Sequence, residues 1–203
     1  MAGLAIFSAA AVVWAIVVVF FRYYRIWLFY YATASVGLAF LLIFGGSKII
    51  PLQTWLEAAA AYHTHHLGQW LGVPTRIFEA APGNILVAIV VQEPGWTALQ
   101  VGVECSALLE ASVLLGLLLF YPGWPWPKRV GLISLGLAVT YIANIIRLLF
   151  IVLTVHWLGK QSIFIAHTIV GRLIFFVLVA GIYWYALTRP TIRALGQRLQ
   201  QVV

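Results

Sequence analysis

The chain has one cysteine and five acidic side chains in 203 residues, and charged residues of both signs make up only 8% of it. A single cysteine excludes an intrachain disulfide and any Cys-x-x-Cys redox or zinc motif. Soluble domains carry roughly 25% charged residues. So little charge, beside 64% hydrophobic content, excludes a soluble fold around one core. The sequence predicts an all-α polytopic membrane protein, a single integral membrane domain over residues 1–203 with almost no soluble part. No basic stripe of the nucleic-acid-binding kind is present. The net charge of +7 fits loops that face anionic lipid on the cytoplasmic side. No internal repeat points to a transporter built from inverted halves. The first twenty residues carry no positive charge before their apolar run, and the charges follow it at Arg22 and Arg25. That is the reverse of a secretory signal, so a retained first span is expected.

What is present is a set of apolar runs of membrane-spanning length. Five transmembrane helices are expected, at about residues 4–21, 26–44, 103–121, 130–158 and 163–187. Gly45-Gly46 closes the second. The fourth is long for one span, so it is tilted or broken near Asn144. Residues 47–102 read differently. Leu52, Trp55, Leu56, Ala59, Tyr62, His63, Leu67 and Trp70 recur at three- and four-residue intervals, an amphipathic helix lying along the membrane surface. Two short Val- and Ile-rich segments follow, 85–91 and 97–103, separated by Gln92-Glu-Pro-Gly95. They read as a small β-hairpin outside the membrane that leads into Cys105.

Counting Lys and Arg sets the orientation. Arg22, Arg25, Lys128, Arg129 and the tail arginines (Arg189, Arg193, Arg198) fall on one side, whereas Lys48, Arg76 and Lys160 fall on the other with four glutamates. The positive-inside rule then puts the N-terminus outside, segment 47–102 outside and the tail 188–203 in the cytoplasm. Cys105, Arg147 and His167, on three successive spans, fall toward the outer side.

Each of the three has two readings. Cys105 is a small buried hydrophobe, or a thiol in the first helical turn whose pKa the helix dipole lowers, kept wet by Glu104 and Ser106. Arg147 costs several kcal/mol in a span unless paired or hydrated. It is a structural partner of Glu110, or a fixed cation for an oxyanion or a substrate carbonyl or carboxylate. Asn144 lies one turn before it on the same face. His167 is an interfacial polar residue, or the base that activates the thiol and then protonates the leaving amine. Thiol, imidazole and cation together support acyl transfer through a thioester. Arg172, five residues after His167, is further round the helix and ranks below Arg147. His63-Thr-His-His66 invites a metal reading, but only His63 and His66 share a helical face, and no cysteine, Asp or further histidine is obviously available, although Glu57 and Glu79 lie in the same loop. No metal and no cofactor is expected.

At these residues the chain resembles the exosortase/archaeosortase family of membrane cysteine transpeptidases. The resemblance runs over about residues 67–183, through Leu71-Gly-Val-Pro74, Gly83-Asn84-Ile85, Cys105-Ser-Ala-Leu108, Asn144-Ile-Ile-Arg147, and His167 with Gly171 and Phe175. The family's usual Cys-Ser-Gly reads Cys-Ser-Ala here, with Ala107 in place of glycine, and this chain is shorter than the many members with about eight spans. The resemblance implies exported protein substrates with a C-terminal sorting signal, made of a short motif, a hydrophobic span and a basic end. It implies Cys105 as nucleophile, His167 as acid and base, Arg147 as orienting or oxyanion-stabilising group, and transfer of the acyl group to an acceptor or water. The alternative is a non-enzymatic membrane subunit or small transporter with a buried Arg147–Glu110 pair.

Overall fold

The computed structural model describes residues 2–78, 87–91, 97–121, 124–189 and 192. The first two helices, α1 (Ala2–Tyr23) and α2 (Trp27–Lys48), form a hairpin through a three-residue turn in which Arg25 takes a positive φ of 56°. α2 runs through Gly45 and Gly46 instead of stopping there. A glycine ends a helix when it turns left-handed, and these two keep helical backbone, with Gly46 set against Leu52 and Leu108.

The amphipathic helix is α3 (Leu52–Trp70), and it packs on the rest of the protein through its small-residue face. Glu57, Ala60, Ala61, Thr64 and Gly68 are buried, whereas Trp55, Tyr62 and Trp70 point outward. Small residues let α3 lie close against its neighbours, and this outranks the pull to bury the largest side chains. Beyond it stand three antiparallel strands, not two. They are β1 (Thr75–Phe78), β2 (Val87–Val91) and β3 (Thr97–Val101), in the order β1-β2-β3. Thr75 pairs with Val91, and Val91 with Thr97. β1 escapes a sequence reading because it is four residues long and carries Arg76. The turn signals at 81–84 and 92–95 lie outside the described residues, as do Glu79, Glu93, Arg193 and Arg198.

The run expected as one span from 103 to 121 divides into two elements. Val103–Cys105 is a single 3-10 turn, and α4 begins only at Leu108, ending at Phe120. Ala107 between them is left-handed, which interrupts the helix. α4 has 13 residues, about 20 Å of helix against a hydrocarbon core of about 30 Å. Among the described residues, four other helical stretches are long and apolar enough to cross: Gly3–Tyr23, Trp27–Lys48, Trp126–Leu158 and Lys160–Tyr183. The chain is thus a multi-pass helical membrane protein with four such spans plus short α4. α4 packs closely on α2, where Ser35 Oγ donates to the Gly116 carbonyl at 3.1 Å. A Cβ on Gly116 would fall 2.5 Å from the Ser35 carbonyl oxygen, the small-residue contact that lets membrane helices approach. Arg129 Nη1 donates to Leu119 O at the far end of α4, taking up one of the carbonyls that a helix C-terminus leaves over.

α5 (Trp126–Leu158) is continuous for 33 residues, about 50 Å, and does not break at Asn144. After a 3-10 turn (Lys160–Ser162), the last span opens with a wide π-helical turn, Ile165–Val170, and continues as α6 (Gly171–Tyr183). The largest cluster of buried side chains sits where the sheet and α3 meet the C-terminal half of α5. It joins Ala60, Ile89, Leu99 and Val101 to Leu148, Ile151 and Val152, and it contains Cys105.

Candidate active site

The turn that carries the thiol is tied down at both ends. Cys105 N–H donates to Gly102 O at 2.8 Å and Ser106 N–H to Val103 O at 3.2 Å. Ser106 Oγ donates to Val103 O at 2.7 Å and accepts the Leu108 N–H at 3.2 Å. Ser106 thus closes the turn and satisfies one N–H at the start of α4. It is buried, so it serves as a strap and not as a wet flank. Ala107 then adopts φ 57° and ψ 11°. A side chain in that region costs about 1–2 kcal/mol, which is the physical reason a Cys-Ser-Gly motif places glycine here. Ala107 accepts the cost and packs its methyl near Ala143 and Phe175.

Cys105 differs from expectation in two ways. It precedes α4 instead of occupying its first turn, and it is only 1% exposed. Burial pushes its pKa up, and the Arg147 guanidinium draws it part of the way back. The resting group is therefore a protonated thiol, not a thiolate stabilised by a helix end. His167 lies beside it, with Nε2 3.8 Å from Sγ. His167 sits on the π turn, a feature often found at functional sites. Gly171 makes room for that turn, because a Cβ there would stand 2.7 Å from Ala166 O and 2.9 Å from Ile151 Cδ1.

Asn144 and Arg147 reach the same turn from α5. Asn144 is fully buried and its Nδ2 donates to Cys105 O. This outward bond is why Asn144 does not break α5, since its amide serves another segment and not its own backbone. Arg147 is 2% exposed, and its Nη1 donates to Glu104 O at 2.9 Å. Its guanidinium lies over the Phe175 ring, 5.3 Å from the centroid. Nε and Nη2 have no partner. They are the two N–H groups on one edge of the guanidinium, a vacant fork for an acceptor. Arg147 and Glu110 form no salt bridge, and Glu110 Oε2 is likewise buried and unpartnered. Both line one cavity of about 410 Å³. Arg172 and Glu104 form an exposed ion pair, 2.7 Å, at its rim.

The structure therefore brings Cys105, His167, Arg147, Asn144 and Ser106 into one place. The histidine cluster is not part of it. His63 Nδ1 approaches Ala59 O and the Tyr141 hydroxyl, His65 Nδ1 lies 2.7 Å from Thr75 Oγ1, and His66 packs on Tyr62. Among the described residues no group of three His, Cys, Asp or Glu could hold a metal. One acidic residue has a place near the site that the sequence reading did not give it. Glu57 is buried on α3, bonded by Gln53, and its charge is felt at Cys105. Burial pushes its carboxyl pKa up, while the Gln53 bond draws it down. Its spacing with Ala60, Ala61 and Thr64 was the available signal, since these mark the inward face of α3.

The comparisons agree with the geometry at the level of family. A family model described as transmembrane exosortase (Exosortase_EpsH) matches residues 1–185. No curated protein and no solved structure gives a match. The matched stretch spans every helix described above and all the residues gathered around Cys105. The chain belongs to the transmembrane exosortase family, which at that level makes it a membrane transpeptidase or protease for exported proteins with C-terminal sorting signals.

Proposed function

We propose that the chain cleaves the C-terminal sorting signal of exported proteins through a thioacyl-enzyme on Cys105 and transfers the acyl group to an acceptor. The observation that carries this reading is the Cys105–His167 contact beside a buried guanidinium with an open fork. Neither a packing cysteine nor a structural arginine needs that arrangement.

In this mechanism His167 Nε2 takes the thiol proton as Sγ attacks the carbonyl carbon at the motif. The neutral resting thiol makes this a general-base step, and the 3.8 Å separation closes as substrate enters. The carbonyl oxygen gains negative charge and is held by Arg147 Nε–H and Nη2–H, donors fixed in advance by the Glu104 carbonyl and the Phe175 ring. The C–N bond breaks, and the amine of the departing tail takes the proton from His167. An acceptor nucleophile (or water) then attacks the thioester, giving its proton to His167. The C–S bond breaks, and the proton returns to sulfur. Asn144 and Ser106 hold the turn that aims the thiol. No cofactor takes part.

The charge bias places the N-terminus and residues 47–102 outside and the C-terminus in the cytoplasm. The site then lies on the outer side, where an exported chain presents its motif while its hydrophobic span is still in the bilayer.

The test compares C-terminal peptides of exported proteins, by mass spectrometry, in host cells carrying wild type or Cys105→Ala at matched expression. Particular proteins keep their hydrophobic tails only in the mutant if the proposal holds. Unchanged C-termini in a host that contains candidate substrates would leave Cys105 a structural residue.

A further inference from the structure

A polar hollow lies away from the thiol, between the C-terminal half of α3 and strand β1. Tyr62, His65, His66 and Gln69 line it from the helix, and Thr75 and Arg76 from the strand. It is open and holds about 710 Å³, within the roughly 300–1,000 Å³ of small-ligand sites. None of the residues gathered around Cys105 borders it. Donors converge there without a negative partner. Among the described residues no carboxylate lines the hollow, and the exposed Arg76 guanidinium has no salt-bridge partner. His65 Nδ1 lies 2.7 Å from Thr75 Oγ1; with the hydroxyl donating, the ring proton sits on Nε2, a free donor. The His66 ring stands edge-on to Tyr62, 4.3 Å between centroids, and 5.5 Å from the His65 ring. Burial, and then the charge of His66, push the His65 pKa down. At neutral pH His65 therefore donates as a neutral imidazole, and Arg76 supplies the fixed charge. The helix end does not use these groups. Its carbonyls at Leu67, Gly68 and Gln69 already accept the backbone N–H groups of Leu71, Gly72 and Val73, so no basic side chain is needed to cap them.

We infer that this hollow is a binding site for the phosphate of an anionic phospholipid headgroup. The inference stands apart from the transpeptidase reading and needs only the membrane setting. A planar guanidinium fork, two imidazoles, an amide and a phenol call for an anion with several acceptor oxygens, which a phosphodiester is. The surroundings select lipid over a soluble anion. Trp70 and Leu71 end α3 beside the hollow, 88% and 57% exposed, and Phe78 shares the Arg76 face of β1 and is 52% exposed. Large apolar side chains left bare next to a basic group are what an interfacial surface offers to headgroups and upper acyl chains. The chain is already in the bilayer, so headgroups stand at high effective concentration and a modest site fills. A zwitterionic headgroup brings its own cation toward Arg76, so an anionic lipid is favoured. The bound lipid ties α3 to the membrane surface, and α3 packs through Ala60 and Ala61 on the core that contains Cys105.

The test uses the purified full chain in non-ionic detergent and three probes: dioctanoyl phosphatidylglycerol, dioctanoyl phosphatidylcholine, and the chain-free headgroup glycerophosphoglycerol. Each is titrated against the unfolding temperature. In wild type phosphatidylglycerol binds about fivefold more tightly than phosphatidylcholine, the size expected for one exposed guanidinium on an anion. Glycerophosphoglycerol at the same total concentration gives no shift. Arg76→Ala brings the two lipids close to parity. Arg76→Lys, which keeps the charge and loses the fork, retains part of the preference, and His66→Ala lowers it. Lys160→Ala removes an exposed charge away from the hollow and leaves the preference at its wild-type value. The preference is the ratio of two lipids within one variant, so a change in that variant's own stability does not enter it. Equal binding of the two lipids by wild type, or a preference that survives Arg76→Ala, overturns the proposal. So does a shift with glycerophosphoglycerol equal to that with the lipid, which makes the hollow a site for soluble phosphate esters. Processing of exported C-termini is a separate readout, and its loss or survival in Cys105→Ala cells leaves the lipid preference where it was.

Discussion

Asn144 offers the sharpest test of how the site is held. Its side chain is fully buried in the middle of α5, and among the described residues its Nδ2 carries the only bond drawn to the Cys105 carbonyl from outside the turn. Replacing it with Ala removes that bond and leaves the carbonyl buried without a partner, a loss of about 1–3 kcal/mol. The change also removes Oδ1, which has no partner of its own, and relief of that group offsets about 1 kcal/mol. The net cost of Asn144→Ala is therefore small, about 0–2 kcal/mol, and shows as a drop of at most several degrees in unfolding temperature. Asn144→Asp is much worse. It sets an ionised carboxylate against a carbonyl oxygen in a sealed space, which costs about 3–5 kcal/mol, the size seen when a buried charge loses its partner. The predicted order of stability is Asn, Ala, Asp, measured by tryptophan fluorescence on heating in detergent. A second readout is alkylation of Cys105 in folded protein. A turn released from α5 lets the reagent in, so Asn144→Ala reacts faster than wild type. Equal melting and equal alkylation in Asn144→Ala would show that the bond does not hold the turn, and the account of the site would fail with it.

Three further predictions follow from the same geometry. Arg147→Lys keeps a positive charge beside the thiol but loses the fork, so processing slows by roughly 10²–10³-fold, the usual loss of one oxyanion donor, while the protein stays folded; near-normal processing would remove Arg147 from the reaction. Because burial raises the Cys105 pKa and Arg147 lowers it, the rate of Cys105 alkylation climbs with pH through a midpoint above the usual cysteine range. Arg147→Gln moves that midpoint higher still, and a midpoint near or below the ordinary value would contradict the neutral resting thiol. Gly171→Ala forces a Cβ against Ala166 O and Ile151, which shifts the π turn and draws His167 from the thiol. A misplacement of about 1 Å costs on the order of 10²-fold in rate, so processing falls while Cys105→Ala remains the more severe change.

Much of the molecule was legible before any coordinate. Low charge and long apolar runs specify a membrane protein because no soluble core of this size hides so much apolar surface. The two expensive side chains in or beside spans, Arg147 and His167, together with the lone cysteine drew attention to the site, since an arginine or a histidine is rarely retained there without a task. Less legible were the elements whose cause lies in a neighbour. β1 carries too little periodic signal to be read alone, and it forms because β2 offers it a free edge. The inward face of α3 was not legible, because hydrophobicity ranks Trp55 and Trp70 above Ala60 and Gly68, whereas close approach to α5 and the sheet ranks them the other way. α5 passes unbroken through Asn144 because the amide finds its partner on another segment.

The sequence alone determined the membrane setting, the family and the candidate reactive groups, since composition, order and spacing are properties of the chain itself. The tertiary structure decided the state of those groups. It placed Cys105 ahead of α4 behind a left-handed Ala107, and buried it so that its proton stays on. It left the Arg147 fork and Glu110 facing one cavity instead of each other. Those outcomes depend on which surfaces meet and how much water they exclude, and no spacing along the chain encodes the distance between two side chains on different helices.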